Sequence, residues 1–207
     1  MLTAKELEMV NIFRKNLFRK ENIRSIMKFV SKSSYGWTYN TVERLINLNI
    51  LIHEKKGKST LCSLNINSLS SIYYLSLLDY LEASNAKHIP YKNIIELINN
   101  IPVIYFSFIV TGSYAEGKQT KKSDIDICVI IEDDSDKKRV YNHLFNKGEL
   151  MIPKVHPLVF TKSEFVQMLL DKEENYGKLL YKKRLIYFGA ENYYLIVKEA
   201  IRNGFRG

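Results

Sequence analysis

Two apolar segments joined by a polar spacer constrain this chain more than any other feature. Val103-Ile-Tyr-Phe-Ser-Phe-Ile-Val110 is dense in β-branched and aromatic residues and reads as a buried strand. It ends in Thr111-Gly112-Ser113. Ten residues follow, Tyr114 to Ser123, and then Asp124-Ile-Asp126-Ile-Cys-Val-Ile-Ile131 reads as a second buried strand opening on two acids. Side chains alternate faces along a strand, so Asp124 and Asp126 share one face. Their Cα atoms are expected about 6.5 Å apart. Two like charges at the start of an apolar strand are costly unless something neutralises them. Carboxylate oxygens, with phosphate supplying the remaining ligands, suit Mg²⁺. A Gly-Ser turn lets a triphosphate approach the backbone closely, and Ser113 can donate its hydroxyl to a phosphate oxygen. Gly112 and Ser113 are therefore candidate nucleotide-binding residues, Asp124 and Asp126 candidate metal ligands, and Ser113 with the two acids the candidate catalytic set. A plain turn beside two solvated acids is the bland alternative.

Gly-Ser, ten residues, Asp-x-Asp resembles the signature of the DNA polymerase beta nucleotidyltransferase superfamily. GSYAEGKQTKKSDIDICV is similar to the GS-x-A-R-G…S-D-I-D-L-x-V string of its minimal nucleotidyltransferase group, and the clear match spans residues 103–131. The resemblance implies a mixed sheet with helices on one side and a Mg²⁺-bound nucleoside triphosphate, with ATP the first choice. It also implies transfer of a nucleoside monophosphate to an acceptor hydroxyl. It further implies an antitoxin-like role toward a partner toxin of the HEPN class. Two departures stand out. The family usually has Arg where this chain has Glu116, which removes a cation near the phosphates. The family's third acid, expected on the following strand, is replaced by His156 within Met151–Phe160. Histidine binds metals, but Mg²⁺ prefers oxygen. His156, between Val155 and Pro157, also reads as a core or edge histidine, and Glu149 is a substitute acid. In a two-metal mechanism the third acid helps activate the acceptor hydroxyl. Its absence bears on turnover more than on nucleotide binding.

The first sixty residues read differently. Leu7, Val10, Ile12, Phe13 and Leu17 recur at helical spacing, with Thr3 as N-cap and Glu6 three places on. Two further helices are expected at about 22–30 and 36–49, the last with Val42, Leu45 and Leu48 inward and with Tyr35 and Trp37 available to pack the two together. Ile50-Leu-Ile-His53 and Thr60-Leu-Cys-Ser-Leu64 flank the basic turn Glu54–Ser59, the pattern of a hairpin. Three helices followed by a hairpin resembles a winged helix-turn-helix over residues 3–66. In such domains the third helix enters the major groove and the wing touches phosphates. By that resemblance Tyr39, Asn40 and Arg44 are candidate base-reading residues, and Lys55, Lys56 and Lys58 candidate phosphate contacts. Protein docking is the competing use of such a domain.

Charge agrees with a polyanion partner in this half: residues 1–60 hold twelve Lys/Arg against five Asp/Glu, within a net charge of +9 for the chain. A solubilising surface gives the same excess. No apolar run is long enough to span a bilayer, and the N-terminus has no apolar signal core, so a cytoplasmic protein with no membrane partner is expected. Cys62 and Cys128 are too few and too far apart for a disulfide framework. The expected class is α+β: a winged helix-turn-helix at 1–66, connecting helices at 67–100 with Leu75, Leu77, Leu78 and Leu81 in the core, and a polymerase-beta-like nucleotidyltransferase domain at 101–207. Beyond residue 131, helices are expected at 134–147, at 163–171 with Ser163 as cap, and at 190–202, with a strand at 185–188. Three functions compete: a Mg²⁺-dependent nucleotidyltransferase, a DNA-binding regulator whose transferase domain senses nucleotide or is inert, and a docking adaptor.

Overall fold

Capping side chains decide where the first helices begin. In the computed structural model, which describes residues 1–31, 34–57 and 59–207, α1 (Ala4–Arg14) starts after Thr3. The Glu6 amide donates to Thr3 Oγ1 at 3.4 Å, and the Thr3 amide donates to the Glu6 carboxylate at 2.7 Å. This is a reciprocal capping box. A three-residue strand, β1 (Lys20–Asn22), leads into α2 (Ile23–Phe29), capped by Asn22. Ser34 caps α3 (Tyr35–Asn47). Then β2 (Leu51–Lys56) and β3 (Ser59–Leu64) pair antiparallel, Leu51 opposite Leu64 and Lys56 opposite Ser59. β1 adds to the other edge of β3. Three polar residues carry no strand pattern, so β1 is absent from the sequence expectation.

The inward face of α3 is Thr38, Thr41, Val42 and Leu45. Leu48 falls at the C-cap and is exposed, contrary to expectation, and Tyr35 and Trp37 lie on the outer face rather than between α2 and α3. α4 (Leu69–Asn85) buries Leu75 and Leu78 but leaves Leu77 and Leu81 exposed, because one helix cannot turn all four leucines inward. The chain divides into two compact units, Met1–Leu78 with Arg206–Gly207, and Asp79–Phe205.

The second unit continues with α5 (Tyr91–Asn100), β4 (Phe106–Val110), the single turn α6 (Gly112–Ala115), β5 (Ile125–Ile131), α7 (Lys137–Gly148), β6 (Val155–Thr161), α8 (Lys162–Leu170), α9 (Tyr176–Lys182), β7 (Leu185–Phe188) and α10 (Ala190–Arg202). Its sheet runs β6-β5-β4-β7. β4 is antiparallel to β5 and β7, and β5 is parallel to β6, so the sheet is mixed. On one face Phe108, Val110, Ile127 and Val129 pack with Leu97 of α5 and Leu144 of α7. On the other, α8 packs on β5 and α10 on β4. Helices thus cover both faces, not one. The cause is visible in the strands: all five residues of β4 are buried, so neither face can be left to solvent.

Smaller differences have local causes. β4 begins at Phe106 rather than Val103, with Ile104 and Tyr105 exposed. Thr161, not Ser163, caps α8, because Ser163 donates its amide and its hydroxyl to Asp133. α9, capped by Asn175, was not anticipated. Arg184, the residue before β7, is buried. Its guanidinium donates to the Tyr181 carbonyl and the Tyr194 hydroxyl, which in turn donates to the buried Asp79 carboxylate. The rings of Tyr181, Tyr193 and Tyr194 surround that cation at 5.0–5.8 Å. Among the described residues no helix is long and apolar enough to cross a membrane.

Candidate functional site

The end of β4 and the start of β5 meet because the two strands are an antiparallel pair with Val110 opposite Ile127. The Thr111 amide extends the ladder by one step, donating to the Asp126 carbonyl at 2.9 Å. Gly112 then turns away with φ +64°, a conformation that favours glycine. The position is closed to side chains for a second reason. A Cβ there would lie 2.2 Å from Asp126 Oδ2. The Asp126 carboxylate therefore rests directly on the Gly112 backbone, and Ser113 follows as the second residue of α6.

Asp126 is half-buried and Asp124, one residue before β5 begins, is exposed. Burial pushes the Asp126 carboxyl above the usual range, His156 opposes this, and the Asp124 charge adds to it. Asp126 thus carries an electrostatic strain that a cation would relieve. β6 places His156 opposite Asp126 in the parallel register, its Nδ1 3.7 Å from Asp126 Oδ1. His156 is exposed on the edge strand β6 and is not a core histidine. Glu149 lines a depression with Asp124, Lys121, Lys122 and Lys154, but its carboxylate is taken by Lys154 at 2.8 Å. Among the described residues no group of three or more His, Cys, Asp or Glu is gathered to hold a metal.

Three neighbours go beyond the residues singled out in the sequence. Tyr176, from α9, has a buried hydroxyl whose ionisation is pushed up by burial, then by Cys128 and Asp126. Lys183 comes from the loop after α9, some seventy residues from the Gly-Ser turn, and its Nζ lies 2.5 Å from Glu116 Oε1. Lys118 Nζ is 3.8 Å from the same oxygen. For Lys183 the signal in the sequence is the basic run Lys182-Lys183-Arg184.

In the first unit Tyr39, Asn40, Lys55 and Lys56 are exposed. Tyr39 lines a concavity with Arg24, Tyr35, Ser59 and Thr60. Arg44, expected to read bases, is ion-paired to Glu6, the capping-box acid of α1. Lys58 lies outside the described residues.

No curated protein matches the chain. A solved structure described as a toxin-antitoxin with AMP-PNP aligns at 19% identity and a TM-score of 0.41, covering 56% of this chain and 86% of the other. The stretch from α5 to α9 that carries the Gly-Ser turn and both acids is a different matter: over residues 93–180 the chain is similar to the family model described as nucleotidyltransferase domain.

Proposed function

We propose that this protein is a Mg²⁺-dependent nucleotidyltransferase that moves a nucleoside monophosphate from a triphosphate, ATP first, to a hydroxyl on a protein acceptor. The observation that carries the reading is the contact of the Asp126 carboxylate with the Gly112 backbone, which sets a metal-type acid against a phosphate-type turn. The matched nucleotidyltransferase domain supports it. Asp124 and Asp126 fit a magnesium ion by donor type, both being carboxylates on one strand end. The triphosphate would complete the coordination, since among the described residues no group of three or more His, Cys, Asp or Glu is gathered to hold a metal. When bound, that ion would offset the charge gathering on the phosphate oxygens.

The chain's own residues do the rest. The Gly112 backbone gives the phosphates close access, and Ser113 donates its hydroxyl to one of their oxygens. The acceptor oxygen bonds to the α-phosphorus, the bond from that phosphorus to the β-bridging oxygen breaks, and pyrophosphate leaves. The acceptor's proton passes to the imidazole of His156, which stands where the third acid is expected. The acceptor suggested by the family resemblance is a HEPN-type toxin. The test is transfer of label from α-labelled ATP with Mg²⁺ and a candidate partner. Asp126→Ala should abolish both transfer and Mg²⁺-dependent triphosphate binding. Unchanged affinity in that variant would overturn the reading.

One arrangement favours a second activity. The order α1, α2, α3, then the β2–β3 hairpin, with Tyr39 and Asn40 exposed on α3 and Lys55 and Lys56 exposed on the hairpin, supports a winged helix that binds duplex DNA. A regulator with a nucleotide-sensing transferase domain would follow. Affinity of the full chain for DNA should then fall with salt at a log–log slope of roughly −0.9 per phosphate contacted, and replacing Lys55, Lys56 and Lys58 together should flatten it. No binding at low salt would leave docking as the role of this unit.

A further inference from the structure

The departure at Glu116 looks like the loss of a phosphate-binding cation, but the fold brings a cation to the same place from elsewhere. Lys183 is held at both ends of its length. Its carbonyl accepts a hydrogen bond from Thr111 Oγ1 at 3.1 Å, and its Nζ reaches Glu116 Oε1 at 2.5 Å. Thr111 is the residue before the Gly-Ser turn, and Glu116 is the C-cap of α6, the turn of helix that follows it. Lys183 therefore runs alongside the turn from its entrance to its exit. Glu116 is held below the usual carboxylate range chiefly by its bond to Lys183. Both side chains are partly exposed, and such a pair contributes little to folding. The ammonium sits on a flexible four-carbon stem and can exchange partners. Lys118 lies 3.8 Å from the same Glu116 oxygen, so the carboxylate keeps a counter-charge when Lys183 leaves.

We propose that Lys183 is the phosphate-binding cation of this site, parked on Glu116 and transferred to the outer phosphates of an incoming nucleoside triphosphate. Glu116 is a positioning residue: it holds the ammonium at the turn and competes with the ligand for it. This rests on the nucleotide-binding reading given above. It predicts a preference for triphosphate over monophosphate that Lys183 supplies, since only the former extends beyond the α-phosphate.

Calorimetry of the full chain with Mg²⁺ and either a non-hydrolysable ATP analogue or AMP tests it. Lys183→Met should weaken the triphosphate about tenfold, the scale of one charge-assisted hydrogen bond, and change AMP by less than about twofold. Lys183→Arg should restore most of the loss, because it restores the charge. Glu116→Gln should tighten triphosphate binding about threefold by removing the competitor. If Lys183→Met binds the triphosphate as the wild type does while Asp126→Ala does not, this inference falls and the nucleotide-binding reading stands. If the wild type binds neither ligand, both fall. Equal losses for triphosphate and AMP, or no rescue by Arg, would make Lys183 a structural residue and overturn the proposal. Weaker binding in Glu116→Gln would overturn the parking role.

Discussion

Both units pair charges at their surfaces, and they part at one acid. In the first, charges meet partners close at hand: Arg44 is taken by Glu6 and Lys20 by Glu54. The second does the same at Lys137 and Glu164, but it also half-buries the Asp126 carboxylate, and His156 offsets that burial and the Asp124 charge only in part. A protein keeps such a cost where something outside the chain removes it. The difference teaches where to look for function. The first unit has surplus positive charge spread over exposed positions, which speaks to a partner class. The second has an acid half-buried on a built turn, which speaks to a ligand.

Of four variants that bear on this contrast, the one with the largest effect lies in the second unit. His156→Ala should cut turnover about a hundredfold, the scale of a lost general base, with triphosphate affinity nearly unchanged in calorimetry. A loss confined to affinity would instead place His156 among the binding groups. Gly112→Ala should destabilise by about 2 kcal/mol in denaturant melts, since the residue sits at positive φ. It should also displace the Asp126 carboxylate, so Mg²⁺-dependent binding should weaken in step; normal binding would separate the acid from the turn.

In the first unit Arg44→Ala should cost about 1 kcal/mol of stability, because it strips a partner from the buried Glu6 carboxylate. A variant of full stability that loses discrimination between DNA sequences would return Arg44 to base reading. The smallest effect is Asp126→Asn without metal. The Asp126 carboxyl is raised in the folded state, so its ionised form disfavours folding. That cost is absent at pH below the ordinary carboxylate value, grows as pH rises through the raised one, and is constant above. The variant should therefore be more stable than wild type at neutral pH, by less than about 1 kcal/mol because the side chain is partly exposed. The gain should vanish in acid; a gain that persists there would have another cause.

Much of this was legible in the chain because local rules agreed with the fold. Thr3 and Glu6 announced α1, and Ala190–Arg202 is helical over the expected span. The apolar runs sufficed to mark β4 and β5, whose pairing brings the Gly-Ser turn to Asp126, and the next apolar segment held His156 of β6. What escaped depends on pairing across sequence. β1 exists only because β3 offers an edge to Lys20, Glu21 and Asn22. The second layer of helices follows from two-sided burial of β4 and β5, which their nearly unbroken apolar runs already carried; the one-sided expectation came from the resemblance alone. Lys183 reaches Glu116 through a tertiary contact that no spacing rule encodes.

The buried Arg184 cluster bears on how this protein can be divided. A fragment trimmed to the recognisable stretch 93–180 would omit β7, α10 and the acid that shares the Tyr194 hydroxyl with Arg184. A fragment that kept β7 and α10 but began after Asp79 would enclose a guanidinium in apolar and aromatic surroundings without that carboxylate, an arrangement that costs several kcal/mol. The segment by which a relative is recognised is thus shorter than the segment that can be inherited, transplanted or expressed as one working piece. That piece reaches back to the middle of α4, through a residue that has no part in the chemistry.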